Sequence, residues 1–209
     1  MKRAILIVVV LFAVALLIGA IAIGSMVRSG LSAHDEPTRI EAAVARTVRQ
    51  WAVPTELRHA KNPVPLTPQL LVEARAHFAD HCAVCHGNDG KGQSGMGKQM
   101  YPKTPDMTLA ATQSLSDGEL FAIIENGVRL TGMPGFGSGS AESAYGSWSL
   151  VHFLRHLPKL APEEIAEMQK LNPKSPEEWQ QMQAEEAFLA GEGEAPAPAD
   201  AHDATPHHH

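Results

Sequence analysis

Residues 67–86 read TPQLLVEARAHFADHCAVCH, and the fold turns on how this stretch ends. Thr67-Pro68 is a helix start, with proline at a position whose N–H has no helical partner. Leu71, Ala74 and Phe78 then fall on one face, which predicts a helix through about His81. The helix closes on Cys82, Cys85 and His86. These are the only two cysteines in 209 residues, and three positions apart they act as one unit. A zinc site needs about four ligands, and only His77 and His81 stand near to complete one. A thioredoxin-like pair wants a βαβ setting, whereas this motif follows a helix and no strand pattern flanks it. A structural disulfide accounts for the cysteines but leaves His86 unexplained.

The remaining reading of Cys82-Ala83-Val84-Cys85-His86 is the attachment signature of a c-type haem. Two thiols one helical turn apart can each add to a vinyl group of one porphyrin. The adjoining imidazole of His86 then serves as proximal iron ligand. A sixth ligand has to come from a later loop. Met96, Met100, Met107 and Met133 are the candidates. Met133 lies in Gly132-Met133-Pro134-Gly135, whose small and rigid neighbours allow a fixed turn and a close backbone approach. Met96 sits between glycines in a loop, and Met107 reads as core. His152 would make a bis-histidine site but falls inside a helix. A backbone carbonyl near Pro102 or Pro105 is expected to accept the second N–H of His86 and fix its tautomer. Tyr101, Arg129 and Trp148 are candidate donors to the propionates. Lys91, Lys98 and Lys103 are candidates to surround an exposed edge and steer a partner, against the plainer reading of solubility.

Outward from the motif, residues 87–115 and 131–143 are rich in Gly and Pro and read as loops. Ser116-Asp117-Gly118-Glu119 is a capping box opening a helix through about Asn126, closed by Gly127. A longer helix over about 144–157 carries Leu150, Phe153, Leu154 and Leu157 on one face, with Trp148 and Val151 on a second, and stops at Pro158. Two polar helices follow at about 162–171 and 176–190. The tail 191–209 is Ala, Pro, Glu and His and is expected to be disordered. Its His202, Asp203 and His207 to His209 are at most a weak metal site. The class is all-α, with no convincing strand.

Before the motif, Ala4 to Val27 carries no charge. As a helix it reaches roughly 36 Å, more than the roughly 30 Å of a bilayer's hydrocarbon core. Lys2 and Arg3 favour a cytoplasmic N-terminus and put the rest outside. A cleaved signal is the alternative, since Ala20-Ile21-Ala22 resembles a cleavage site. Asp35-Glu36-Pro37 looks like the start of an amphipathic helix of about 14 residues, with Ile40, Val44, Val48 and Trp51 on one face and Arg39, Arg46 and Arg49 on the other. It either packs on its own domain or lies on a membrane or neighbouring subunit. Residues 52–68 hold Pro54, Pro63, Pro65 and Pro68 and read as a stiff connector. Net charge is −6 but polarised. Residues 1–65 carry eight Lys/Arg against four Asp/Glu, and residues 159–209 three against eleven. No basic surface for nucleic acid is formed.

Residues 66–158 resemble a class I monohaem cytochrome c domain. The likeness is carried by the helix into CAVCHG, the loop segment TPDMT, the run LSDGELFAIIENGVRLTGMPGFG, and a last helix holding Trp148. It is strongest to bacterial cytochromes anchored by one N-terminal helix, with a segment like RHLPKL (Arg155 to Leu160) after the last core helix. The resemblance implies one covalently bound haem c held by Cys82 and Cys85, with His86 and Met133 as axial ligands. It departs at Ala74, where the family usually has glycine at the helix crossing. The organisation expected is an anchor over 1–28, an amphipathic helix and connector over 29–65, a haem domain over 66–158, a helical extension over 159–190 and a tail over 191–209. The function implied is single-electron transfer on the periplasmic side of a bacterial inner membrane, not enzymatic catalysis. The partners implied are a quinol-oxidising complex, a periplasmic dehydrogenase or a terminal oxidase. A fixed subunit of a larger oxidoreductase complex is the alternative, and a ligand-binding enzyme or sensor a third.

Overall fold

A computed structural model describes residues 2–29, 32–174 and 176–191. It is helical, with no strand among the described residues. The chain divides into two compact units, residues 1–171 and 172–209. The first holds α1 (Lys2–Ser29), α2 (Arg39–Ala52), the single turn α3 (Thr55–Arg58), α4 (Pro68–His77) and α5 (Ala83–His86). It continues with α6 (Ala110–Gln113), α7 (Asp117–Asn126), α8 (Ala141–His156) and α9 (Pro162–Leu171). The second holds α10 (Pro176–Leu189). The tail from residue 192, with its histidines, lies outside the described residues.

The core forms where α4 and its continuation meet α8. Phe78 packs against Phe153 with ring centroids 5.0 Å apart, and Val151, Leu154 and Leu157 surround them. Leu120 and Ile124 of α7 close the cluster. Trp148 stacks on Phe121 at 4.2 Å and 11°, so α8 is buried on two sides, as its sequence predicts. Ala74 is buried at the crossing. A Cβ on Gly146 would meet His77 only at an ordinary 3.6 Å, so the alanine at position 74 is accommodated. α7 begins and ends where the sequence places it: Ser116 and Glu119 form both bonds of the capping box, and Gly127 terminates it.

Four expectations are corrected. The helix from Pro68 does not end at His81. It widens into a π-turn over Phe78–Cys82, where Ala83 N–H reaches back to Phe78 O, and runs on to His86. α2 starts at Arg39, not near Pro37, because Thr38 caps it and Glu41 closes a capping box that Asp35-Glu36 cannot form. α8 starts three residues early, since the Ser140 hydroxyl accepts from Ser143 N–H. The 52–68 segment packs on the domain: Val53 is buried, Asn62 donates to Trp148 O at 2.8 Å, and His152 meets Val64 O at 2.7 Å.

The first helix of the extension also belongs to the core unit. Met168 is fully buried, and Glu164 of α9 joins Arg75 at 2.9 Å and His156 at 2.9 Å. Arg155 ties the end of α8 to the start of α7 through Asp117, Gln113 O and Leu115 O. The crossing of α3 over α7 is tight enough that any side chain at Gly118 would strike Leu57 O. Two substitutions test these contacts. Met168→Ala is expected to cost about 2–5 kcal/mol, showing that α9 is structural. Gly118→Ala is expected to cost about 1–3 kcal/mol by forcing the 52–64 segment away. Urea unfolding followed by circular dichroism measures both; no loss in Met168→Ala would return α9 to the surface.

Candidate functional site

The site is built at the C-terminal end of the helix that begins at Pro68. The π-turn adds one residue to that helix just before the motif, which re-aims the following side chains. Gly87, at φ +72°, ends it in a conformation that favours glycine, and its N–H bonds back to Ala83 O at 2.8 Å. Cys82, Cys85 and His86 therefore lie on the last turns of one rigid helix, anchored from behind by Phe78 and Ala83 in the core.

Both cysteines are free thiols. Burial pushes the Cys82 thiol up to about 12, with the neighbouring Cys85 adding to the shift. Burial also raises Cys85. A pair protonated at neutral pH is the reverse of a thioredoxin-like site, whose attacking cysteine is depressed. Burial pushes His86 down to about 4, so its imidazole is neutral at pH 7 and keeps a lone pair for a metal. Its Nδ1 is buried without a hydrogen-bond partner. The expected carbonyl from the Pro102 or Pro105 region thus does not reach it. Among the described residues no cluster of three or more His, Cys, Asp or Glu could hold a bare ion. Two unlinked thiols one turn apart beside a neutral, half-buried imidazole fit a covalently tethered haem: the thiols suit thioether formation and the imidazole suits axial ligation.

The loop after the motif wraps it through backbone contacts. Gly92 N–H bonds His86 O at 2.7 Å, and a side chain at Gly92 would strike the carbonyl of Thr104. Gly97 presses equally closely on Cys85 O. The Ser94 hydroxyl, 2.8 Å from both Val84 O and Cys85 O, covers carbonyls that the helix end leaves open. Met107 N–H bonds Gly90 O at 2.8 Å and draws Met107 into the core. The glycines of 87–97 announce such close approaches. Nothing in the sequence points to Ser94.

The methionines separate clearly. Met107 is core and Met96 is half exposed, its sulfur 3.6 Å from Cys85 Sγ. Met100 packs against Gly132 and accepts from the Thr104 hydroxyl at 3.7 Å. Met133 is half-buried in a loop strapped to the end of α7. Val128 N–H bonds Met133 O at 3.1 Å, Phe136 N–H bonds Ile124 O at 3.0 Å, and Gly137 N–H bonds Glu125 O at 3.0 Å. His152 is taken up by Val64 O and is not free to reach a metal.

The secondary candidates are largely engaged elsewhere. Tyr101 donates its hydroxyl to Glu41 at 2.5 Å, a bond that pushes the phenol up to about 12. Trp148 is a packing residue. Arg129 is exposed. Lys103 donates to Ala33 O and Lys98 O, and Lys91 pairs with Asp89 at 3.7 Å.

Gly127 carries the geometry of the Met133 loop. At φ +65°, a Cβ there would lie 2.5 Å from Pro134 C and Gly135 N and 2.6 Å from Met133 O. Gly127→Ala is expected to destabilise by about 1–3 kcal/mol and to displace Met133 without touching it. Methyl NMR of labelled methionines checks this: the Met133 resonance shifts while that of Met107 stays. An unmoved Met133 signal would show that the strap does not set its position.

Residues 69–154 match the family model described as cytochrome c oxidase, cbb3-type, subunit III. The match covers less than half of the chain and contains the whole site from Cys82 to Met133. No curated protein matches the chain.

Proposed function

We propose that this monohaem c-type cytochrome is a membrane-anchored carrier that passes single electrons between respiratory or periplasmic redox partners. The observation that carries the reading is the half-buried imidazole of His86, its Nδ1 buried, at the end of the helix that also carries the two cysteines, inside a stretch that matches the c-type cytochrome family model. Haem c, when bound, supplies one-electron chemistry by cycling its iron between two oxidation states. The chain's own part is to hold and insulate that group. Cys82 and Cys85 are assigned the two covalent tethers, and His86 the proximal nitrogen. Met133 is assigned the distal thioether: its loop is fastened to α7, Met107 is committed to the core and His152 to Val64. A soft thioether favours the reduced metal and so raises the potential.

The anchor is assigned to α1. It is the one helix among the described residues that is long and apolar enough to cross a membrane, a test that a signal sequence also passes. With Lys2 and Arg3 inside, the haem domain stands on the extracytoplasmic face of a bacterial inner membrane. Quinol-oxidising complexes, periplasmic dehydrogenases and terminal oxidases are the partner classes in keeping with that place. The family match favours a second reading, in which the chain is a fixed subunit of an oxidoreductase complex. Gentle detergent extraction separates the two, since a carrier migrates alone.

Substitutions test the assignments. Cys82→Ala or Cys85→Ala is expected to lower stable holoprotein on haem-stained denaturing gels, and the double variant to abolish it; full staining of the double variant would overturn the attachment site. Met133→Ala is expected to remove the weak long-wavelength charge-transfer band of a sulfur-ligated ferric haem, to lower the reduction potential and to admit carbon monoxide. Met96→Ala, Met100→Ala and Met107→Ala are expected to keep the band. Loss of the band in one of these three, with retention in Met133→Ala, would move the ligand.

A further inference from the structure

An amphipathic helix in a globular unit turns its apolar face inward. α2 does the opposite. Ile40 is 78% exposed, Val44 57%, Val48 55% and Trp51 74%. Its half-buried positions are Ala42 and Arg49. At about 100° per residue these two share one side, roughly opposite the apolar stripe. The helix is held by its flank and end. Glu41 accepts from Tyr101, and Arg58 reaches Trp51 O at 3.2 Å and Val53 O at 2.9 Å. Just upstream, Lys103 grips Ala33 O at 2.8 Å. These fastenings face the stripe away from the unit.

The order of the chain fixes what lies beside it. α1 ends at Ser29 and α2 begins at Arg39. Ten residues span at most about 35 Å even when extended, so α2 stays close to whatever surface α1 leaves. Arg28 closes α1, and Arg39, Arg46 and Arg49 line α2; among the described residues no ion pair engages any of them. The single acid of α2, Glu41, is already bonded to Tyr101 and to the Thr38 N–H. An apolar stripe containing tryptophan, backed by unpaired arginines and tethered next to a membrane-spanning segment, has the chemistry of a helix that lies in a bilayer interface. Arginine stems can lie along the apolar zone while their guanidinium groups reach lipid phosphates.

We propose that α2 is a membrane-surface anchor. It sinks Ile40, Val44, Val48 and Trp51 into the bilayer crossed by α1, pairs the exposed Arg39 and Arg46 with anionic headgroups, and so sets the orientation of the haem domain over the membrane. This rests on the reading of α1 as a retained anchor. The Tyr101–Glu41 and Lys103–Ala33 bonds transmit the orientation to the loop that wraps the haem motif.

Full-length holoprotein in nanodiscs tests the idea by amide hydrogen exchange. Residues 39–52 are expected to exchange about tenfold or more slowly in discs containing anionic lipid than in purely zwitterionic ones. Val44→Glu with Val48→Glu is expected to abolish that slowing while the haem spectrum and disc association stay unchanged. Arg39→Gln and Arg46→Gln together are expected to remove the dependence on anionic lipid. Equal exchange in both disc types, insensitive to the glutamate pair, overturns the proposal. So does protection that arises only when another membrane protein is added. If the chain leaves the discs altogether, the reading of α1 fails separately. Sedimentation of the released chain with vesicles then decides for α2: binding to anionic but not zwitterionic vesicles supports it, and no binding overturns it.

Discussion

The packing of Phe78 against Phe153 is the contact on which the rest of the structure depends. It joins the helix carrying the cysteines to the last core helix, and it lies directly behind the π-turn that aims the motif. His86 approaches the same aromatic pair through Phe78, at 6.4 Å between centroids. An imidazole backed by aromatic carbon is kept dry and neutral, which is what metal ligation requires. Burial of the ring and availability of its lone pair thus have one cause.

Around that contact the chain relies on main-chain proximity more than on side-chain filling. Gly92 and Gly97 bring the wrapping loop onto the carbonyls of the motif, and Gly127 lets the Met133 strap lie on the end of α7. Such interfaces leave no room for adjustment by rotamer change, so the two loops are placed rigidly although they contain little regular structure. Polar ties at the periphery follow the same logic: Arg155 and Gln113 spend their donors on backbone carbonyls of neighbouring segments.

What the sequence made legible was local. The Ser116–Glu119 capping box and the apolar periodicity of α8 depend on residues a few positions apart, and they read correctly. What it hid was set by distant partners. The 52–68 segment looked like a connector because its prolines speak only of backbone stiffness; the bonds of Asn62 to Trp148 and of Val64 to His152 cross more than eighty residues. α9 looked polar because charged and polar residues outnumber its short apolar row of Ile165, Met168 and Leu171, of which only Met168 is fully buried. The π-turn has no sequence signal, as it answers to how Phe78 and Ala79 are seated in the core. Tyr101 seemed free for a propionate because nothing local reveals Glu41, sixty residues earlier.

The order of these elements along the chain carries a consequence for biosynthesis. A polypeptide emerges N-terminus first, and Cys82 appears well before Phe153 and Met168, the side chains that complete the core around its helix. Folding ahead of any attachment buries the Cys82 thiol and pushes it up to about 12. While α8 and α9 are still to come, the core that shelters its helix is incomplete. The motif is thus more accessible before the late helices close the core around its helix.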